Sequence, residues 1–152
     1  NDKNNVLLGY GYILSENYIG ESDDKIAINE HRIFQQYTTK QDISKVSLSH
    51  RYRLEQRFVE EDFKLRFRYF LSLKIPLKIK ETGTSPLYLS AYNEIFLNSK
   101  SSIFDRNRVY AALGFVINKN FKVEAGFMSQ ILEQSNRNQF QIVIFNNLPF
   151  KN

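Results

Sequence analysis

Between Val46 and Phe150, polar and apolar side chains alternate nearly one for one, segment after segment. The clearest run is Lys45-Val-Ser-Leu-Ser-His-Arg-Tyr-Arg-Leu-Glu-Gln-Arg-Phe58. Its odd positions hold Lys45, Ser47, Ser49, Arg51, Arg53, Glu55 and Arg57. Its even positions hold Val46, Leu48, Tyr52, Leu54 and Phe58, broken by His50 and Gln56. A strand points successive side chains to opposite faces, so this ribbon is wholly polar on one side and mostly apolar on the other. It is also about twice the usual length of a globular strand. A transmembrane β-barrel needs long strands of this kind.

The same alternation predicts eight strands, at roughly 5–14, 29–39, 45–58, 63–77, 86–98, 106–118, 121–131 and 139–149. Asn118-Lys119-Asn120 and Glu60-Glu61-Asp62 read as tight turns, and Pro76, Pro86 and Pro149 fall near strand ends, where a missing donor is tolerated. With no linker or composition break, the 152 residues read as a single domain, 1–152. Segments 15–28, 99–105 and 132–138 are longer or more polar than 118–120. With a periplasmic C-terminus these three fall outside, and 39–44 and 118–120 fall inside. The short 59–62 and the long 78–85 fit that pattern poorly. The polar loops 15–28 and 132–138 are candidate partner contacts, although they hold no binding motif.

Counting by twos separates two faces. Leu65, Phe67, Tyr69, Leu71, Leu73 and Ile75 share one, against Lys64, Arg66, Arg68, Phe70, Ser72 and Lys74. Leu89, Val109, Leu113, Val123, Phe127, Phe140 and Ile142 fall on the apolar side. Tyr88, Tyr92, Glu94, Arg106, Arg108, Tyr110 and Glu124 fall on the polar side. A soluble barrel would enclose the apolar row, whereas a membrane barrel turns it toward lipid and encloses the polar one. Strand length near the roughly 9–11 residues that cross a tilted bilayer favours the membrane arrangement. So do the tyrosines, Phe70, Phe145 and Gly114 of the polar face, which suit a packed lumen better than open water. The expected fold is all-β: an antiparallel up-and-down transmembrane β-barrel with eight strands readable in this sequence.

Composition narrows the chemistry. Cysteine is absent, which removes disulfides, thiolate metal sites and cysteine nucleophiles. His31 and His50 show no metal-ligand spacing and no evident serine partner, so neither a metal, a cofactor nor catalysis is expected. The 21 Lys and Arg exceed the 16 Asp and Glu, for a net charge of +5. The arginines recur at period two within strands and not in a tail or along one helix, so nucleic acid is not the expected partner. No apolar run reaches the roughly 18 residues of a transmembrane helix. The polar start Asn1-Asp-Lys-Asn-Asn5 lacks a signal-peptide core, as a mature or truncated chain would.

Specific stretches carry a resemblance. His50-Arg-Tyr-Arg-Leu-Glu-Gln-Arg-Phe58 and Leu65-Arg-Phe-Arg-Tyr-Phe-Leu-Ser-Leu-Lys-Ile-Pro-Leu77 resemble the domain-of-unknown-function 2490 family. So do Leu89-Ser-Ala-Tyr-Asn-Glu-Ile-Phe-Leu-Asn98, Phe104-Asp-Arg-Asn-Arg-Val-Tyr110 and Asn118-Lys-Asn-Phe-Lys-Val-Glu-Ala-Gly-Phe-Met-Ser-Gln130. Together they cover most of 48–150 in order. The resemblance implies a small barrel of the Gram-negative outer membrane with no established activity. It also implies a missing N-terminal part and ten or twelve strands in the complete protein. Outer-membrane lipid is then the expected partner, with other envelope proteins if the chain is a subunit of a complex.

The residues with most to say about a site are Arg51, Arg53, Glu55 and Arg57 on one strand, with Arg66 and Arg68 on its hairpin partner. Arg106 and Arg108 should lie near Tyr92 and Glu94. The expected arrangement is a lumen network in which Glu55, Glu94 and Glu124 neutralise the arginines, whose planar forks suit carboxylates in a partly dry interior. The alternatives are a narrow anion-selective channel and a soluble lipocalin-like ligand-binding barrel.

Overall fold

The computed structural model describes residues 3–18, 23–78, 86–100 and 102–147. The strands are β1 (Asn4–Tyr18), β2 (Lys25–Ile43), β3 (Val46–Val59), β4 (Asp62–Lys78), β5 (Leu87–Asn98), β6 (Phe104–Val116), β7 (Phe121–Leu132) and β8 (Asn136–Asn146). They form one antiparallel sheet in chain order, curled into a half-barrel with β1 and β8 as its two edges. The all-β, up-and-down architecture expected from alternation is what the chain adopts.

Three connections are shorter than the sequence suggests. Most of 15–28, expected as a loop, is hairpin ladder: Ser15 opposes Ile28 and Asn17 opposes Ile26. Lys25 closes its end, 3.1 Å from Glu16 and 5.2 Å over the Tyr18 ring. Only Ser44 and Lys45 connect β2 to β3, and only Glu60 and Glu61 connect β3 to β4. Ser44 (φ 55°) and Glu60 (φ 51°) take the left-handed conformation that two-residue hairpin turns require. Neither is a glycine, so the turn signal is weak in the sequence. At 118–120, Asn118 Oδ1 accepts from the amides of Asn120 (2.8 Å) and Phe121 (3.0 Å), fixing the expected turn. Pro76 sits where the β4–β5 register shifts, which accommodates its missing donor. Pro149 and the 79–85 segment lie outside the described residues.

The strands are strongly staggered. A hydrogen-bond row through Gln141, near the middle of β8, passes Gly126, Ala112, Ser90, Lys74 and Ser47. It reaches Asp42, one residue from the end of β2. Gly11, midway along β1, leads instead through Arg32 and Arg57 to Lys64, near the start of β4. Such a shear is what tilted strands in a barrel wall produce.

The convex face carries the apolar rows. Val6, Leu8, Phe67, Val109, Leu113, Phe127, Ile142 and Ile144 are all exposed, Val6 to 78%. These residues form an oblique belt. One convex row runs Asn4, Thr39, His50, Leu71, Asn93, Val109, Ser129, Asn138. On β1 the apolar residues Val6 to Leu14 lie on one side of it. On β7 and β8, Phe121 to Phe127 and Phe140 to Ile144 lie on the other.

Close approach explains Gly126. A Cβ there would come within 2.2 Å of the Ala111 carbonyl oxygen and 2.4 Å of Ala112 Cβ, whereas at Gly11 the nearest atom would be 3.8 Å away. Gly126→Val should destabilise the fold by about 1–3 kcal/mol through overpacking, read as a lowered denaturant midpoint. Gly11→Ala should leave that midpoint nearly unchanged. Equal midpoints for the two variants would contradict the packing described.

Candidate functional site

The polar rows converge on the concave face as a lattice of arginines and carboxylates. Pairing across β3 and β4 sets Arg53 opposite Arg68 and Glu55 opposite Arg66, and β5 sets Glu94 opposite Arg108. Glu55 is fully buried. Its Oε1 accepts from Arg68 Nη1 at 2.8 Å and lies 3.7 Å from Arg53 Nη1. Its Oε2 has no hydrogen-bond partner, and Arg32 Nη1 is 3.7 Å away. Glu94, also buried, accepts from Arg51 and Arg68 at 2.7 Å, with Arg108 at 4.0 Å. Arg68 therefore bridges the two most enclosed carboxylates.

Two further centres flank this core. Glu30 receives a bidentate pair from Arg57, 2.6 and 2.7 Å, and a bond from Arg32 at 2.8 Å. Asp105 lies 3.2 Å from Arg66 and 3.1 Å from Arg106. Aromatic rings add a second support beneath the guanidinium groups. Arg53 lies 4.4 Å over Phe34 and Arg51 4.5 Å over Phe70; Phe96 meets Arg68, Arg108 and Arg106 at 4.4, 5.0 and 5.7 Å.

The sequence-derived site residues thus share one face, but not one cluster. Arg51, Arg53, Glu55, Arg57, Arg66, Arg68, Glu94, Arg106 and Arg108 belong to the lattice. Glu124 stands apart and touches no arginine: it accepts from Tyr88 at 3.0 Å and from Tyr110 at 3.5 Å, with Lys74 at 3.3 Å. It is separated because its register row runs through Gly114 and Tyr88, nearer the other end of the strands. Tyr92 packs between Phe70 and Tyr110, at 5.0 and 4.8 Å, and does not bond a charge. Six further residues join the lattice: Glu30, Arg32, Asp105, and Gln36, Asn98 and Gln130, which accept from Arg53 (2.5 and 2.9 Å), Arg66 (3.0 Å) and Arg108 (2.9 Å). Glu30, Arg32 and Gln36 share one parity of β2, a signal present but obscured by the polar opposite row. Asp105 lies at a register shift between β5 and β6, and simple counting assigns it to the wrong face.

This geometry defines an all-β half-barrel whose concave face is an ion-pair lattice and whose convex face is apolar. The family model described as "Protein of unknown function (DUF2490)" matches residues 1–141, so the chain belongs to that family. The match takes in β1 and β2, beyond the 48–150 region on which the sequence resemblance rests. Neither the curated proteins nor the solved structures include a match.

Removing a lattice carboxylate would strand buried guanidinium groups, which typically costs about 3–5 kcal/mol. Glu55→Ala should therefore lower the unfolding midpoint far more than Glu16→Ala, whose exposed pair with Lys25 is worth at most about 1 kcal/mol. Similar losses in the two variants would argue against an enclosed lattice.

Proposed function

We propose that this chain forms wall strands of a bacterial outer-membrane β-barrel with a structural or accessory role. The apolar belt faces lipid hydrocarbon, and the Arg/Glu lattice fills the lumen. The observation that carries this reading is the pairing of enclosed charge with an exposed apolar belt set oblique to the hydrogen-bond rows. Tilting the strands as the register stagger requires turns that belt toward the membrane plane. A lipocalin-like barrel would instead enclose apolar side chains, and here the enclosed side is charged.

The free edges of β1 and β8 fit a barrel completed by further strands, ten or twelve in all, since an unpaired edge cannot face lipid. The convex row of β2, with Gln35, Tyr37, Thr39 and Gln41, is the least apolar part of the wall and would suit a neighbouring envelope protein in a larger complex. Both histidines lie on the convex face against tyrosine hydroxyls, Tyr10 for His31 and Tyr69 for His50, and the reading includes no catalysis. The dense lattice also disfavours conduction.

The chain should partition with the outer membrane, need detergent for extraction and migrate differently before and after heating. Ile142→Arg should cost about 2–4 kcal/mol if it sits near the bilayer midplane and reduce the inserted fraction. A monodisperse chain, stable without detergent, would reject the proposal.

A further inference from the structure

The concave face changes character partway along three neighbouring strands. On β3 the inward residues pass from Ser47 and Ser49 to Arg51 and Arg53. On β4 they pass from Lys74 and Ser72 to Arg68, and on β5 from Ser90 to Glu94. The pairing register brings these changes level. One row runs Lys40, Ser49, Ser72, Tyr92, and the next runs Asp42, Ser47, Lys74, Ser90. The row on the other side, Thr38, Arg51, Phe70, Glu94, begins the lattice.

Short side chains leave space where the long ones fill it. Two adjoining hollows of about 390 and 350 Å³ share Ser72 and Lys74. Ser90 lines the second hollow and is only 5% exposed, yet its hydroxyl has no hydrogen-bond partner among the described residues. The Ser49 and Ser72 hydroxyls are also unpartnered there. A hydroxyl that opens into a hollow and makes no bond within the described residues has a donor free for an acceptor there.

The charge of the surroundings selects the acceptor. Two carboxylates line the hollows: Asp42 accepts from Ser47 at 2.6 Å, and Glu124 accepts from Tyr88 and pairs with Lys74 at 3.3 Å. Among the described residues Lys40 enters no ion pair, and Lys74, which also lies over the Tyr88 and Phe145 rings, keeps donors beyond its contact with Glu124. The adjoining lattice sets eight arginines, Arg32, Arg51, Arg53, Arg57, Arg66, Arg68, Arg106 and Arg108, against only Glu30, Glu55, Glu94 and Asp105. That surplus makes the far wall of the hollow positive.

We infer that this hollow is a binding site for a small oxyanion, a phosphate or phosphate ester. Lys40 and Lys74 supply charge, and Ser49, Ser72 and Ser90 donate hydrogen bonds. The arginine lattice closes one end and adds its field, so the site is a cup and not a passage. Every residue used is on the concave face, so the inference stands apart from the membrane reading.

Inorganic phosphate titrated calorimetrically into the purified full chain should show one saturable site. Lys40→Gln, at an exposed position, should weaken it about tenfold, the loss of one charge-assisted contact. Ser90→Val should abolish it by filling the hollow. Lys100→Gln, whose partner Asp62 lies at the opposite end, should leave it unchanged. A short-chain phosphatidic acid binding tighter than inorganic phosphate would assign the site to a lipid head group, and the reverse order to a free solute. Absence of saturable binding up to about 10 mM phosphate, or binding indifferent to Lys40→Gln, would overturn the inference.

Discussion

The need to pair charges withdrawn from water governs the concave face. Desolvating a guanidinium or a carboxylate costs several kcal/mol, which is recovered only when partners meet in good geometry. Arg68 shows how this is met: one side chain reaches Glu55 and Glu94 together, across two strand boundaries. The register of β3, β4 and β5 is therefore constrained by ion pairs as well as by the backbone ladder. A slip of one residue would send every arginine to the convex side and every leucine inward.

Strand alternation made the two faces legible from residue types alone. Leu65, Phe67, Leu89 and Val109 do share the convex face, because a period of two leaves no freedom once pairing is set. What escaped the sequence depended on local departures from that period or on distance between strands. Asp105 changes side at a bulge, and no residue type announces one. Charge alone groups Glu124 with the arginines, although its row crosses the wall near the opposite end. The β1–β2 hairpin extends to Tyr18 and Lys25 because cross-strand partners stabilise residues whose own strand preference is weak.

Stagger and hydropathy record the same tilt independently. The stagger is a property of backbone pairing, read from which residues face each other. The belt boundary is a property of side-chain chemistry, read from where asparagine, threonine and serine replace leucine and phenylalanine. Asn4 and Thr39 bound the apolar residues from one side on β1 and β2, while Ser129 and Asn138 bound them from the other on β7 and β8. On the membrane reading proposed above, the flat apolar layer that the wall would face accounts for this oblique alignment.

The imbalance of arginine over carboxylate sharpens the contrast between the two halves of the concave face. Within the lattice, the phenylalanines supplement the carboxylates. Phe96 lies beneath three guanidinium groups, and Phe34 and Phe70 beneath one each. Each such contact contributes about 0.5–2 kcal/mol, depending on how dry it is, and a ring face attracts a cation without cancelling its charge. Aromatic support thus stabilises the lattice locally and leaves its net field in place. That field extends toward the Ser72 and Ser90 rows.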